Sequence, residues 1–248
     1  MNRMNDLNCL LAEKLVEDIK KDHEASGIAV AIIDKSGKTQ YEKFWGVRDL
    51  ESGKEVNGDT IFGLASVTKS FTALSIMQLE EKGIIDLDAP ISQYIPEFTN
   101  KNQSKKVTVR HLLSHAGGFF PLPRILVGNV AESLGLDEEK DGDFAYNDAV
   151  AQEGVKLVAE RLDAQTKENG LNGQPGEYLS YCNDGFGLLS DIIRRYGGEP
   201  SYADYLVKHV LKPLGMERSF CDFVRPSKDE NAATLYKKVD GVMRGSRD

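Results

Sequence analysis

The sequence predicts an α+β fold, with strands and helices segregated along the chain rather than alternating. Two observations carry that reading. The first fifty residues read as helix, strand, turn and strand, and from Phe62 onward the pattern becomes helices joined by Gly- and Pro-bearing loops. The totals agree with a packed globular chain. Its 248 residues are 40% hydrophobic and 28% charged, enough to build a sizeable core as one large domain or two small ones. The reading adopted is a single domain over 1–248. In it, residues 1–60 hold a helix and two strands, 61–220 form a helical region, and 221–248 form a weakly structured end.

Each element has its own signal. Leu7, Leu11, Leu15 and Ile19 recur every four residues, with Ala12 and Val16 beside them and charges opposite, the pattern of an amphipathic helix. Gly27 opens the apolar run Ile28 to Ile33, which reads as a buried strand. Lys35-Ser36-Gly37-Lys38 supplies turn chemistry, and Thr39 to Trp45 is rich in strand-favouring types, so the two strands are expected to pair antiparallel. Within Phe62 to Gly83, Val67, Phe71, Leu74, Ile76, Met77 and Leu79 leave little polar surface before Glu80, Glu81 and Lys82, the pattern of a mostly buried helix with Gly83 as its stop. Asn100–Lys106 is a polar loop. Thr108 is placed to cap a short helix through Ser114, ended by Gly117-Gly118. Asp148 to Leu162 and Asp184 to Tyr196 read as helices, and Ser201 with Asp204 starts another that ends before Pro213.

Charge and composition exclude several classes. A net charge of −8 argues against nucleic acid and against an anionic membrane surface as partners. No apolar run is long enough to span a bilayer, and Met1 to Ser26 lacks the apolar core of a signal peptide. Three widely spaced cysteines, Cys9, Cys182 and Cys221, show no metal-type pairing and read as reduced thiols in a cytoplasmic protein.

The chemistry concentrates in Ser66-Val67-Thr68-Lys69. One helical turn stacks Ser66 and Lys69 on the same face, at a helix N-terminus that favours developing negative charge. A serine needs a neighbouring group to manage its proton, and an amine one turn away can take part in that network. The pair alone is a common tetrapeptide, equally readable as a capping serine and a solvated lysine. A second stretch, Gly176 to Gly185, holds Tyr181 and Asn183, otherwise readable as a core tyrosine and a helix cap.

Five segments together resemble the serine β-lactamase-related family of class C β-lactamases, D-alanyl-D-alanine carboxypeptidases, D-aminopeptidases and esterases. They are IFGLASVTKSFTAL (61–74), GIIDLDAPISQYIPEF (83–98), VTVRHLLSHAGGF (107–119), PGEYLSYCNDGFGLLSDII (175–193) and VLKPLGM (210–216), in the family's order. The resemblance implies a β-lactamase/transpeptidase-like fold, a helical region attached to an antiparallel sheet. It makes Ser66 the acylated nucleophile, Lys69 its partner amine, Tyr181 a general base and acid, and Asn183 a substrate-binding amide. The implied activity is hydrolysis of an amide or ester in a small molecule or short peptide, with no cofactor and no metal. A phenol titrates near ~10 in isolation, and a cationic lysine within reach favours its phenolate. The order of proton transfers stays open.

One family element has no counterpart. A Lys-Thr-Gly or His-x-Gly triad on a late strand, which also donates to the oxyanion hole, is not found after Asn183. Lys35-Ser36-Gly37 and His115-Ala116-Gly117 match by letter, but one lies in the early hairpin and the other at a helix end. The expectation is therefore a chain lacking the family's C-terminal part, with an incomplete sheet. Losing an oxyanion donor costs on the order of 10²–10³ in rate. The alternative is a catalytically inactive or incomplete module that keeps the fold for protein–protein contact. Rival sites are weaker. His111 and His115 stand four apart, but no H-E-x-x-H and no third ligand accompany them, so a packed, hydrogen-bonded pair is expected. Cys182 has no histidine near in sequence and reads as a small packed side chain. Asp137 to Asp143 reads as a solvated loop or as part of a roof over the cleft, and specificity is expected to reside in 119–174. Oligomeric state and substrate identity are not written in the sequence.

Overall fold

The computed structural model describes residues 6–99, 106–123, 127–141, 148–166, 173–222 and 224–246. In chain order the elements are α1 (Asp6–His23), β1 (Gly27–Ile33), β2 (Thr39–Gly46), α2 (Thr68–Glu81), α3 (Val109–Leu113), α4 (Val127–Ser133), α5 (Glu138–Asp141), α6 (Asp148–Gln165), α7 (Asn183–Tyr196), α8 (Tyr202–Leu206), α9 (Val224–Lys228), β3 (Leu235–Val239) and β4 (Val242–Ser246). They fall into two compact units, Met1–Ala65 with Met216–Asp248, and Ser66–Gly215.

The first unit carries the strands. β1 and β2 pair antiparallel from Gly27↔Gly46 to Ile33↔Thr39, with an irregularity between Ile32 and Ile33. Asp34 shapes the turn: its carboxylate accepts from the Ser36 and Lys38 N–H groups at 2.8 and 3.1 Å, and Gly37 takes φ 81°. β1 is not the buried strand its apolar run suggests. Ala29, Ala31, Ile32 and Ile33 are exposed, because two strands have too few neighbours to cover both faces of a sheet. Likewise the α1 stripe of Leu11, Leu15 and Ile19 is exposed and Val16 is buried, while Glu13 bridges Lys43 of β2.

The weakly structured end expected at 221–248 is corrected. β3 and β4 form an antiparallel hairpin, Val239↔Val242 closing on Asp240 and Gly241 at φ 52° and 79°. Both central residues thus sit at positive φ, as a two-residue hairpin turn requires, and an Asp-Gly pair supplies them at low cost. The hairpin is tied to the residues after β2. Thr234 donates its N–H to the Arg48 carbonyl at 2.8 Å and its hydroxyl to Asp49 at 2.8 Å. Tyr236 Oη accepts the Leu50 N–H at 2.7 Å. Hydrogen bonds from Ser52, Thr234 and Tyr236 hold the Asp49 carboxyl far below the usual carboxylate range.

The second unit is helical, and α7 is its axis, packing on α2, α3, α6 and α8. Its inner positions Leu188, Leu189, Ile192 and Ile193 meet Ile76 and Leu79 of α2, Leu112 of α3, Leu162 of α6, Phe98, Phe119 and Tyr205 in one buried cluster. Asp191, also buried, is held by Arg194 and Arg195, and Arg195 reaches Glu97 at 3.0 Å. The α2 expectation changes in one respect. Its inner side is fully buried, but Leu74 and Met77 are 43% and 44% exposed, since neighbouring helices cover only one side. Thr108 caps α3 as expected, accepting the His111 N–H while His111 Nδ1 accepts the Thr108 N–H at 3.1 Å. The acidic stretch is a helical turn rather than a loop: α5 is nucleated by Asp137, whose carboxylate accepts the Glu139 N–H at 3.1 Å. The polar loop at 100–105, the last two residues of the acidic stretch, and the parts 124–126, 142–147 and 167–172 of 119–174 lie outside the described residues. Among the described residues no helix is long and apolar enough to cross a membrane.

Candidate active site

Ser66 lies not on α2 itself but on the 3₁₀ turn Ala65–Val67 that leads into it. The turn is entered through Ala65 at φ 44°, a left-handed conformation that a residue with a Cβ adopts at a cost. Ser66 stands exposed ahead of the helix. Lys69, in the first turn of α2, donates from Nζ to Ser66 Oγ at 3.2 Å. The three-residue spacing thus brings the amine onto the hydroxyl, as the helical period dictates.

Tyr181 arrives from 115 residues away, and its Oη sits 2.7 Å from Ser66 Oγ. An ammonium only donates, so Ser66 Oγ accepts from Lys69 and its own proton is free to point to the phenol. Lys69 Nζ also lies 4.9 Å from the Tyr181 ring centroid and 5.6 Å from that of Phe186. The phenol is held below its ordinary value near 10, first by hydrogen bonding to Lys69 and then by Ser66. Tyr181 remains 47% exposed, so the trio opens to solvent.

The tyrosine is braced from behind. His115 stacks on it with ring centroids 4.4 Å apart, and Phe186 lies 5.0 Å beyond. His115 stands at φ 54°, just past α3. Burial first, and then the Lys69 charge, push its imidazole below the usual histidine value. Sequence reasoning set His115 aside as a metal or oxyanion candidate and missed this contact. Its only local signal is a histidine before Ala-Gly at a helix end. Neither His111 nor His115 presents Nδ1 to a ligand, since the backbone N–H groups of Thr108 and Cys182 occupy those atoms. The described residues hold no group of three or more His, Cys, Asp or Glu side chains fit for a metal ion.

Among the described residues, the hydrogen bonds of the trio do not extend to the other candidate residues. Asn183 begins α7 and is exposed, and its amide makes no hydrogen bond to a described residue. Cys182 is the residue before α7, 5% exposed, and its thiol donates to Asp184 at 3.6 Å. Burial pushes that thiol up, away from thiolate reactivity.

Comparison with known proteins identifies the family. A family model described as Beta-lactamase matches residues 12–247. The esterase EstB of Burkholderia gladioli is 32% identical over 84% of this chain and 50% of its own length. Penicillin-binding protein 4* of Bacillus subtilis (strain 168) is 30% identical over 84% of the chain and 40% of its own length. Among solved structures, the octameric penicillin-binding protein homologue from Pyrococcus abyssi superposes with a TM-score of 0.76 at 29% identity, over 97% of this chain and 50% of that one. A class C β-lactamase gives 0.71 at 22% identity over 99% and 58%, a likeness of fold alone. The chain spans about half the length of the curated relatives it matches. With a model match over nearly its whole length and the Ser–Lys–Tyr trio gathered in the helical unit, this chain belongs to the Beta-lactamase family.

Proposed function

We propose that the protein is a serine hydrolase that cleaves an amide or ester bond through an acyl-enzyme on Ser66. The observation that carries this reading is the 2.7 Å contact between Ser66 Oγ and Tyr181 Oη, with Lys69 Nζ on the same oxygen at 3.2 Å. Ser66 Oγ attacks the substrate carbonyl and its proton passes to Tyr181, whose lowered pKa makes its base form accessible. The tetrahedral intermediate collapses, the scissile bond breaks, and Tyr181 returns the proton to the leaving amine or alcohol. Water then repeats the sequence in reverse roles and frees Ser66 with the acid product. Lys69 balances the charge that moves between the two hydroxyls. Asn183, exposed at the head of α7, offers its amide to the substrate.

The exposed, solvent-open trio suits a small-molecule or short-peptide substrate. The esterase and penicillin-binding relatives lend weight to carboxylic esters and to D-residue peptides or β-lactams in turn. No cofactor has a role in this scheme, since every proton and charge it moves belongs to a side chain. The free thiols of Cys182 and Cys221 fit a reducing, cytoplasmic setting. The test is covalent. The folded chain is incubated with a fluorescent penicillin and with an activated phosphonate, and the adduct is mapped by mass spectrometry. Modification of Ser66, abolished by Ser66→Ala, is expected. A folded protein that takes no adduct would instead favour a non-catalytic module retaining the fold for contact with another protein.

A further inference from the structure

One residue, His115, holds the backbone on either side of Tyr181. The N–H of Ser180, before it, donates to the His115 carbonyl at 2.8 Å. The N–H of Cys182, after it, donates to His115 Nδ1 at 3.2 Å. The imidazole also lies against the phenol ring. His115 is itself fixed, because its N–H donates to the Leu112 carbonyl at 3.2 Å and the next residue, Ala116, both donates to His111 and accepts from Gly176 at 2.7 Å. The cavity beside the ring, lined by His111, Ser180 and Cys182 among others, measures about 10 Å³. That is the room of one water at most, so the imidazole cannot turn into that side.

An acceptor Nδ1 is an unprotonated Nδ1, which makes the engaged form the neutral Nε2–H tautomer. We propose that His115 is the positioning residue of this site: as a neutral imidazole it holds Tyr181 against Ser66, and protonation of Nδ1 lets the tyrosine go, giving the reaction an acid limb. The proposal rests on the hydrolase reading above for its kinetic consequence but not for the clip itself. Among the described residues, the titratable groups around His115 are Lys69 of α2, His111 of α3, Tyr181 and Cys182 before α7, and Asp184 within it. Burial and the Lys69 cation both disfavour the imidazolium, so the clip stays engaged through neutral pH and opens only on acidification.

Two measurements on the whole chain decide it. In the first, long-range ¹H–¹⁵N spectra of histidine-labelled protein, assigned with His115→Asn, report the tautomer. An imine-type Nδ1 at neutral pH that becomes protonated on acidification is expected, and a protonated Nδ1 at neutral pH would overturn the clip whether or not the chain is active. In the second, phosphonate labelling of Ser66 is followed against pH for His115→Asn and His115→Gly. Both residues accept the left-handed backbone, but only Asn returns an acceptor near the Nδ1 position. Asn is expected to label within about threefold of wild type at neutral pH and to lose the acid limb, and Gly to label roughly 10–100-fold slower at every pH. A Gly variant as fast as wild type, with an unchanged melting curve, would refute the positioning role. A wild type that never labels counts against the hydrolase reading alone, and the spectra still judge the clip.

Discussion

Replacing Tyr181 with Phe removes one oxygen and leaves the rest of the site in place. The ring that stacks on His115 at 4.4 Å and faces Lys69 is retained, so folding should be untouched. Ser66 Oγ then keeps one polar partner, Lys69 Nζ, at 3.2 Å instead of 2.7 Å. A donor-only ammonium cannot take the serine proton, so the general-base contribution disappears, a loss of roughly 10²–10⁴-fold in acylation rate. The pH dependence should change as well. The phenol of the wild type ionises below 10, so its rate should climb with pH and level off before that value, while Tyr181→Phe should show no such rise. The assay is the second-order rate constant for phosphonate labelling of Ser66, read by intact mass. If Tyr181→Phe labels within about threefold of wild type with the same pH slope, the phenol is not the base and the argument from proximity fails.

Three further outcomes follow from the same coordinates. Ile76→Ala deletes three fully buried carbons, worth ~0.8 kcal/mol each plus a cavity, so urea unfolding should report a loss of about 3 kcal/mol. Leu74→Ala and Met77→Ala on the exposed side of the same helix should each cost under ~1 kcal/mol; equal losses at all three positions would mean that α2 is buried all round. Lys69→Met removes the leading cause of the lowered phenol, so an ultraviolet titration should show one tyrosine moving back up towards 10, and no movement would separate the two groups. For His115, the folded value lies below the unfolded one near 6.5. Its contribution to stability is therefore complete above ~6.5 and is lost as pH falls through the window towards the folded value. His115→Asn should flatten that part of the stability–pH curve, and an unchanged curve would show that another group sets it.

What was legible in the chain divides by physical range. Ser66 and Lys69 are three apart on a helical path, so their meeting follows from the local period. The α3 cap, the antiparallel β1–β2 pair and the helix ending at Tyr196 are local in the same sense. Tyr181 is different: no periodicity links it to Ser66, and only the resemblance to a family brought them together before the structure did. Exposure was the poorest guess. Periodicity tells which side chains share a face, but not whether anything covers that face, so Leu74, Met77 and Ile33 were all read as buried. The β3–β4 hairpin was overlooked because Lys237 and Lys238 dilute the strand pattern, although Asp240-Gly241 was a usable turn signal. His115 escaped because its role lies in a carbonyl and one ring nitrogen facing a segment 65 residues onward.

The two-part division of the chain bears on how it is made. The helical unit is one uninterrupted stretch, Ser66–Gly215, so a ribosome delivers it whole before residues 216–248 emerge. The other unit is stitched from both ends and must wait for β3 and β4. Until then Asp49 and Leu50 lack the partners that Thr234 and Tyr236 bring, although β1 and β2 can already pair, since β3 and β4 form a sheet of their own.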